Sequence, residues 1–254
     1  MDKKWYTKIT KVEPNNIQVR GYPIHYLMDK ITFGEAVFLL LKGELPSENE
    51  KRMIETILVS SIDHGPTPPS VIAARTVAST GSPLNSSVAA GILAIYKYHG
   101  GAIENAMKFF YNGVKRGGTY SISLEKVKQA KESKKKIFGF GHRYHTKDPR
   151  TDKLFKIAEE IKIKGKHIEF ALHTKQALKE VFNKELPINV DGAIGAVLCD
   201  MNFPPEIGNA FFMISRLPGL IAHIYEEKTR EKPMRKIHLD SFEYDGPERD
   251  IKSL

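Results

Sequence analysis

A chain of 254 residues, 41% of them hydrophobic, can bury one large core, or a large core and a small one. Its formal charge of +9 predicts an anionic ligand: nucleic acid, an acidic surface or a phosphate-bearing metabolite. The single cysteine, Cys199, excludes an internal disulfide, no apolar leader opens the sequence, and runs such as 36–41 are too short to cross a bilayer, so a cytoplasmic protein is expected.

Residues 5–24 alternate around Pro14-Asn15-Asn16 and predict two short strands and a turn, a small N-terminal β-hairpin. Helical signals begin at Thr32, which with Glu35 makes a capping box ahead of the run 36–41; Gly43 and Pro46 close that helix. Ser47 and Glu50 make a second box, and Met53, Ile54, Ile57, Leu58 and Ile62 follow as an apolar stripe. This helix ends at Asp63-His64-Gly65-Pro66. Helices are then predicted over 70–79, 85–98 and 102–115, with Ala89, Ala90, Gly91 and Ala94 permitting close packing. A lysine-rich helix over 123–136 leads into the loop Gly139-Phe140-Gly141. Asp148 as N-cap and Pro149 at the first helical position restart the chain, and amphipathic stretches cover 151–163 and 168–182. Residues 186–191 read as extended, 192–200 as buried, and Pro204 as the start of a last helix kinked at Pro218 and ending near Lys228. The tail from 237 is polar and irregular. The chain is mainly α, without repeats or an evident linker.

Four segments place a histidine or an aspartate beside glycine at the end of an element: Asp63-His64-Gly65, His99-Gly100-Gly101, Gly141-His142 and Asn189-Val190-Asp191-Gly192. A lone histidine at a helix C-terminus is more often a cap for the dipole than a catalyst. Three of them with an aspartate, all at apolar borders, point to a cleft. No His-x-x-x-His or Cys-x-x-Cys spacing supports a metal site, and no elbow motif supports a covalent nucleophile. The positive charge lacks the aromatic-basic interleaving of a nucleic-acid binder.

Gly139-Phe140-Gly141-His142-Arg143 followed by Asp148-Pro149-Arg150 resembles the signature of the citrate synthase superfamily. Its companions stand in order: the 75–82 segment, His99-Gly100-Gly101-Ala102, Asn189-Val190-Asp191, and Ser215-Arg216 through Gly219 to His223. The resemblance covers residues 20–236. The extent of the chain and Asp63-His64-Gly65-Pro66 are similar to the citryl-CoA lyase branch, which includes the lyase module of ATP citrate lyase.

That resemblance implies a citrate-synthase-like helical fold in a short form, with 1–254 as one catalytic unit. Large-domain elements would lie at about 25–118 and 186–236, and small-domain elements at about 119–185. The implied activity is cleavage of citryl-CoA to acetyl-CoA and oxaloacetate, with a citrate or 2-methylcitrate synthase as the alternative. The implied catalytic residues are His99, His142 and Asp191. His64, Arg150, Arg216 and Arg235 would bind the carboxylates of the substrate. In the family one arginine just before a proline comes from a neighbouring subunit, and here Lys232-Pro233 holds that place with Arg230 and Arg235 near it. Lys135, Lys136, Ile137, Gly139 and Gly141 would bind coenzyme A. No permanent cofactor is implied, since the CoA thioester is the substrate. The implied assembly is a homodimer or higher homo-oligomer, with a separate citryl-CoA synthetase as supplier and neither nucleic acid nor membrane as partner.

Overall fold

Residues 5–142, 147–236 and 238–247 are described by a computed structural model of the chain. Arg143 of the glycine-loop signature lies outside the described residues. Three short antiparallel strands open the fold, β1 (Thr10–Glu13), β2 (Asn16–Val19) and β3 (Tyr22–Pro23), in the order β1-β2-β3. The register pairs Val12 with Ile17 and Val19 with Tyr22. The expected hairpin is therefore a three-stranded sheet, turned at Asn15 and again at Arg20-Gly21, all three with positive φ. α1 (Ile24–Lys30) follows at once and was not anticipated. It has no side-chain cap and buries no residue, so it lacks both the signals that sequence reading relies on.

Both capping boxes form. Thr32 and Glu35 exchange hydrogen bonds at the start of α2 (Phe33–Lys42), and Ser47 and Glu50 do the same for α3 (Glu48–Ser60). α4 (Pro69–Ser79) and α6 (Ala102–Lys115) fall where predicted. α5 is Leu84–Leu93, shorter than expected. The chain reverses so tightly after it that a Cβ on Gly101 would sit 2.5 Å from the Tyr96 carbonyl carbon, and the His99 N–H donates to the Tyr96 carbonyl at 2.7 Å. Residues 94–99 cannot be helical and make that turn. α7 (Tyr120–Glu132) also departs from expectation: Thr119 caps it, and it stops before Lys134, whose φ is +52°. The lysine run thus lies beyond the helix.

α8 (Pro149–Glu160) starts at Asp148 and Pro149 as expected, α9 is Lys166–Phe182, and α10 is Val190–Asp200. α10 is the centre of the molecule: it is buried almost throughout and packs against α6, α8 and α9. After a 3-10 turn at Pro205–Ile207 comes α11 (Gly208–Arg230), which runs through Pro218 as one helix and packs against α3, α4, α5 and α6. By length and apolarity α11 could span a bilayer, but its buried Arg216 and Glu227 and its helix-packed face mark a core helix.

Candidate active site

The N-terminus of α10 is where the site is assembled. Asn189 caps it, its Oδ1 accepting the Gly192 N–H at 3.1 Å, which puts Asp191 in the first turn rather than in an extended segment. The same Asn189 reaches across to the glycine loop, with Nδ2 donating to the Gly141 carbonyl at 2.8 Å. Backbone bonds from Gly141 to the Pro187 carbonyl (2.7 Å) and from Asn189 to the Gly139 carbonyl (3.0 Å) complete the clasp. Gly139 needs to be glycine twice over. Its φ is +87°, and a Cβ there would lie 2.7 Å from the Gly192 Cα. The loop is therefore pressed onto the helix start, and His142 emerges from it into the same cavity that Asp191 lines.

Around this clasp lies a cavity of about 230 Å³. Its wall includes His64, His99, His142, Arg150, Asp191 and Arg216. The rings of His64 and His142 meet edge to face with centroids 5.8 Å apart. His99 follows the α5–α6 reversal, with Nε2 2.7 Å from the buried Ser70 Oγ and its ring edge-on to Phe212 at 5.8 Å.

Two cations flank the carboxyl of Asp191. Arg150 is held in a fork by the Asp148 carboxylate, with Nε to Oδ1 at 3.0 Å and a terminal nitrogen to Oδ2 at 2.8 Å. Burial pulls the Asp148 carboxyl up, but the hydrogen bonds and charge of Arg150 outweigh it, and the net position is below the ordinary value. Arg216 is 2% exposed, donates through Nε to the Ser61 carbonyl at 2.9 Å, and lies over the Phe212 ring at 4.7 Å. Its Nη1 is buried without a hydrogen-bond partner among the described residues. Burial pushes the Asp191 carboxyl up to about 6, against the pull of Arg150 and Arg216. By surface area Asp191 is only half-buried, but what it is exposed to is the narrow cavity.

A second cavity of about 670 Å³ adjoins the first and shares Lys136, Phe140, Gly141 and His142 with it. Lys134, Lys135 and Ile137 also line it. Of the residues expected to bind coenzyme A, Lys136, Gly139 and Gly141 border the inner cavity, and Lys135, Lys136, Ile137 and Gly141 the outer one. Arg235 does not join either cavity of this chain. It pairs with the buried Glu227, which also binds Arg75 at 2.6 Å, so within the chain it ties the residues after α11 to α4. Sequence reading gave no role to Ser70, Phe212 or the Asn189 side chain. Only Asn189 carried a local signal, as a capping residue ahead of an apolar run.

The sequence profile described as "Citrate synthase, C-terminal domain" matches residues 3–52 and 46–237. The chain belongs to the citrate synthase family. Over 233 residues it is 30% identical to ATP-citrate synthase beta chain protein 1 of Arabidopsis thaliana, an alignment covering 84% of this chain and 38% of that relative. The chain thus spans well under half the length of the plant protein. Among solved structures, the citryl-CoA lyase from Hydrogenobacter thermophilus matches with a TM-score of 0.90 and 45% identity, over 98% of both chains. The ATP citrate lyase of Methanosaeta concilii, solved in complex with (3S)-citryl-CoA, shares the fold: TM-score 0.88 at 23% identity, covering 100% of this chain and 44% of that one. Membership of the citrate synthase family accounts for the helical fold.

Proposed function

We propose that this chain is a citryl-CoA lyase, converting citryl-CoA to acetyl-CoA and oxaloacetate. The observation that carries the reading is the convergence in one cavity of His99, His142 and an Asp191 whose carboxyl burial has raised, beside a buried guanidinium with an unused donor. Citryl-CoA holds a tertiary alcohol β to a thioester carbonyl. His142 takes the hydroxyl proton, the carbon–carbon bond breaks, and its electron pair becomes the enolate of acetyl-CoA while the alcohol carbon becomes the ketone of oxaloacetate. Asp191 gives its proton to the enolate carbon, and His99 donates a hydrogen bond to the thioester oxygen on which charge develops. An aspartate with an ordinary pKa would almost never hold a proton at neutral pH; one moved to about 6 is still mostly ionised there, but its protonated form is accessible enough for exchange both ways.

His64, Arg150 and Arg216 hold the carboxylates. The free Nη1 of Arg216 suits an incoming carboxylate, because a buried donor left unpaired is costly until something accepts from it. The lysines of the outer cavity face the phosphates of coenzyme A. A second copy of the chain covers the exposed stripe Leu217, Ile221 and Tyr225 on α11, and a separate synthetase supplies the citryl thioester. The same three catalytic groups would serve a citrate synthase, so the test must separate cleavage from thioester hydrolysis. Purified protein is offered citryl-CoA, with oxaloacetate followed by NADH-linked reduction and free thiol by a disulfide reagent. Oxaloacetate should appear with little thiol. Thiol release without oxaloacetate, or rapid thiol release from acetyl-CoA plus oxaloacetate, overturns the lyase reading.

A further inference from the structure

His64 sits on a turn, 61–65, that has no helix or strand of its own, yet its ring must meet His142 across the cavity. One face of α11 grips that turn and the end of α3 before it. Ser215 donates to the Leu58 carbonyl and Arg216 to the Ser61 carbonyl. At Gly219 the helix comes so close that a Cβ would lie 3.1 Å from Asp63 Oδ1. One turn further on, the His223 ring reaches that same carboxylate, Nε2 to Oδ1 at 3.0 Å. Asp63 Oδ2 accepts the Gly65 N–H at 2.9 Å, and the His64 N–H also acts on this carboxylate. Burial pulls the Asp63 carboxyl up, but the two backbone N–H groups and His223 outweigh it, so the group lies below the ordinary value and stays ionised. An ionised carboxylate only accepts, so His223 Nε2 must carry the proton. Nothing else in the chemistry above uses His223 or Asp63.

We propose that His223 is a positioning residue for His64: by donating to Asp63 it fixes the carboxylate that folds the 61–65 turn, and so sets where the His64 ring stands in the cavity. The inference rests on the proposed role of His64 in holding a substrate carboxylate. The ring of His223 is mostly covered, with 14% of its side chain exposed, and its Nδ1 is 3.8 Å from Glu226, so a competing use by solvent is small. The bond spans 160 residues of sequence, which is why spacing gave no hint of it.

The test compares His223→Ala with His223→Gln, whose amide can donate in place of Nε2. In His223→Ala the KM for citryl-CoA should rise by about tenfold, the lower end of what a lost outer partner of a ligand-holding side chain costs, while the affinity for free coenzyme A stays unchanged. His223→Gln should recover most of that loss. Placed on a His64→Ala background, His223→Ala should add nothing further. A substrate-free arm follows the ring ¹H–¹⁵N signals of His64 by NMR, assigned with His64→Gln. They should move in His223→Ala and return in His223→Gln. An inactive wild-type protein whose His64 signals still respond would sink the lyase reading and leave the positioning intact. Additive losses, no rescue by Gln, or unmoved His64 signals would overturn the positioning itself.

Discussion

Asp191 carries both the clearest residue-scale property of the molecule and a cost. Moved from the ordinary 3.8 to about 6 by burial, its ionised form is disfavoured in the folded protein by up to about 3 kcal/mol. The sign follows from proton counting. Between about pH 3.8 and 6 the folded state binds more protons than the unfolded one, so stability falls as pH rises through that window. Above it the cost is complete, and below it the cost is absent. Asp191→Asn should therefore unfold at higher denaturant concentration than wild type at pH 7, and the advantage should vanish below about pH 4 in paired urea titrations. The same substitution should lower turnover by about 10²–10⁴. A variant that is both less stable at pH 7 and half as active as wild type would remove Asp191 from the role given to it. The type and place of this residue were legible in Asn189-Val190-Asp191. Its protonation was not, because that depends first on burial, which raises the carboxyl, and then on the opposing charges of Arg150 and Arg216, which approach from other helices.

At the scale of elements, the glycine loop and the start of α10 behave as one unit. Gly139→Ala meets both a positive φ and a wall of backbone at Gly192, and it should cost about 1–3 kcal/mol while displacing His142 relative to Asp191. Gly117→Ala is the control. Its φ is +116° but nothing lies within 4 Å, so only backbone strain of about 1 kcal/mol is expected, with turnover unchanged. Thermal melts and initial rates on the pair separate the two effects; equal losses in both would show that close approach is not what the loop requires. Elements with strong local signals were readable, as the two capping boxes and the Asp148-Pro149 start show. Those decided by tertiary contact were not. α5 ends early because Gly101 folds back on Tyr96, and Thr119, a residue with ordinary capping chemistry, starts α7 ahead of the apolar positions that would have marked it.

Over the whole molecule, the charge of +9 is unevenly used: the lysines at 134–136 line the outer cavity, next to the inner one where the proposed chemistry lies. Replacing Lys134, Lys135 and Lys136 together with Gln should raise the KM for CoA thioesters severalfold at low salt and much less at 0.5 M salt, since exposed charges are screened. A salt-independent loss would mean that the lysines act through structure rather than charge. The order of the motifs let the fold and the cavity residues be anticipated together. Within the chain Arg235 pairs with Glu227, a buried acid on a helix 23 residues long, and that pairing was not legible because burial cannot be read from spacing. The central claim is that a carbon–carbon bond breaks and Asp191 delivers a proton to the enolate. Cleavage of citryl-CoA in deuterium oxide, with the first products weighed by mass spectrometry, tests it most directly. The account predicts oxaloacetate and acetyl-CoA carrying one deuteron in its methyl group; citrate and free coenzyme A, with no acetyl-CoA, would contradict it.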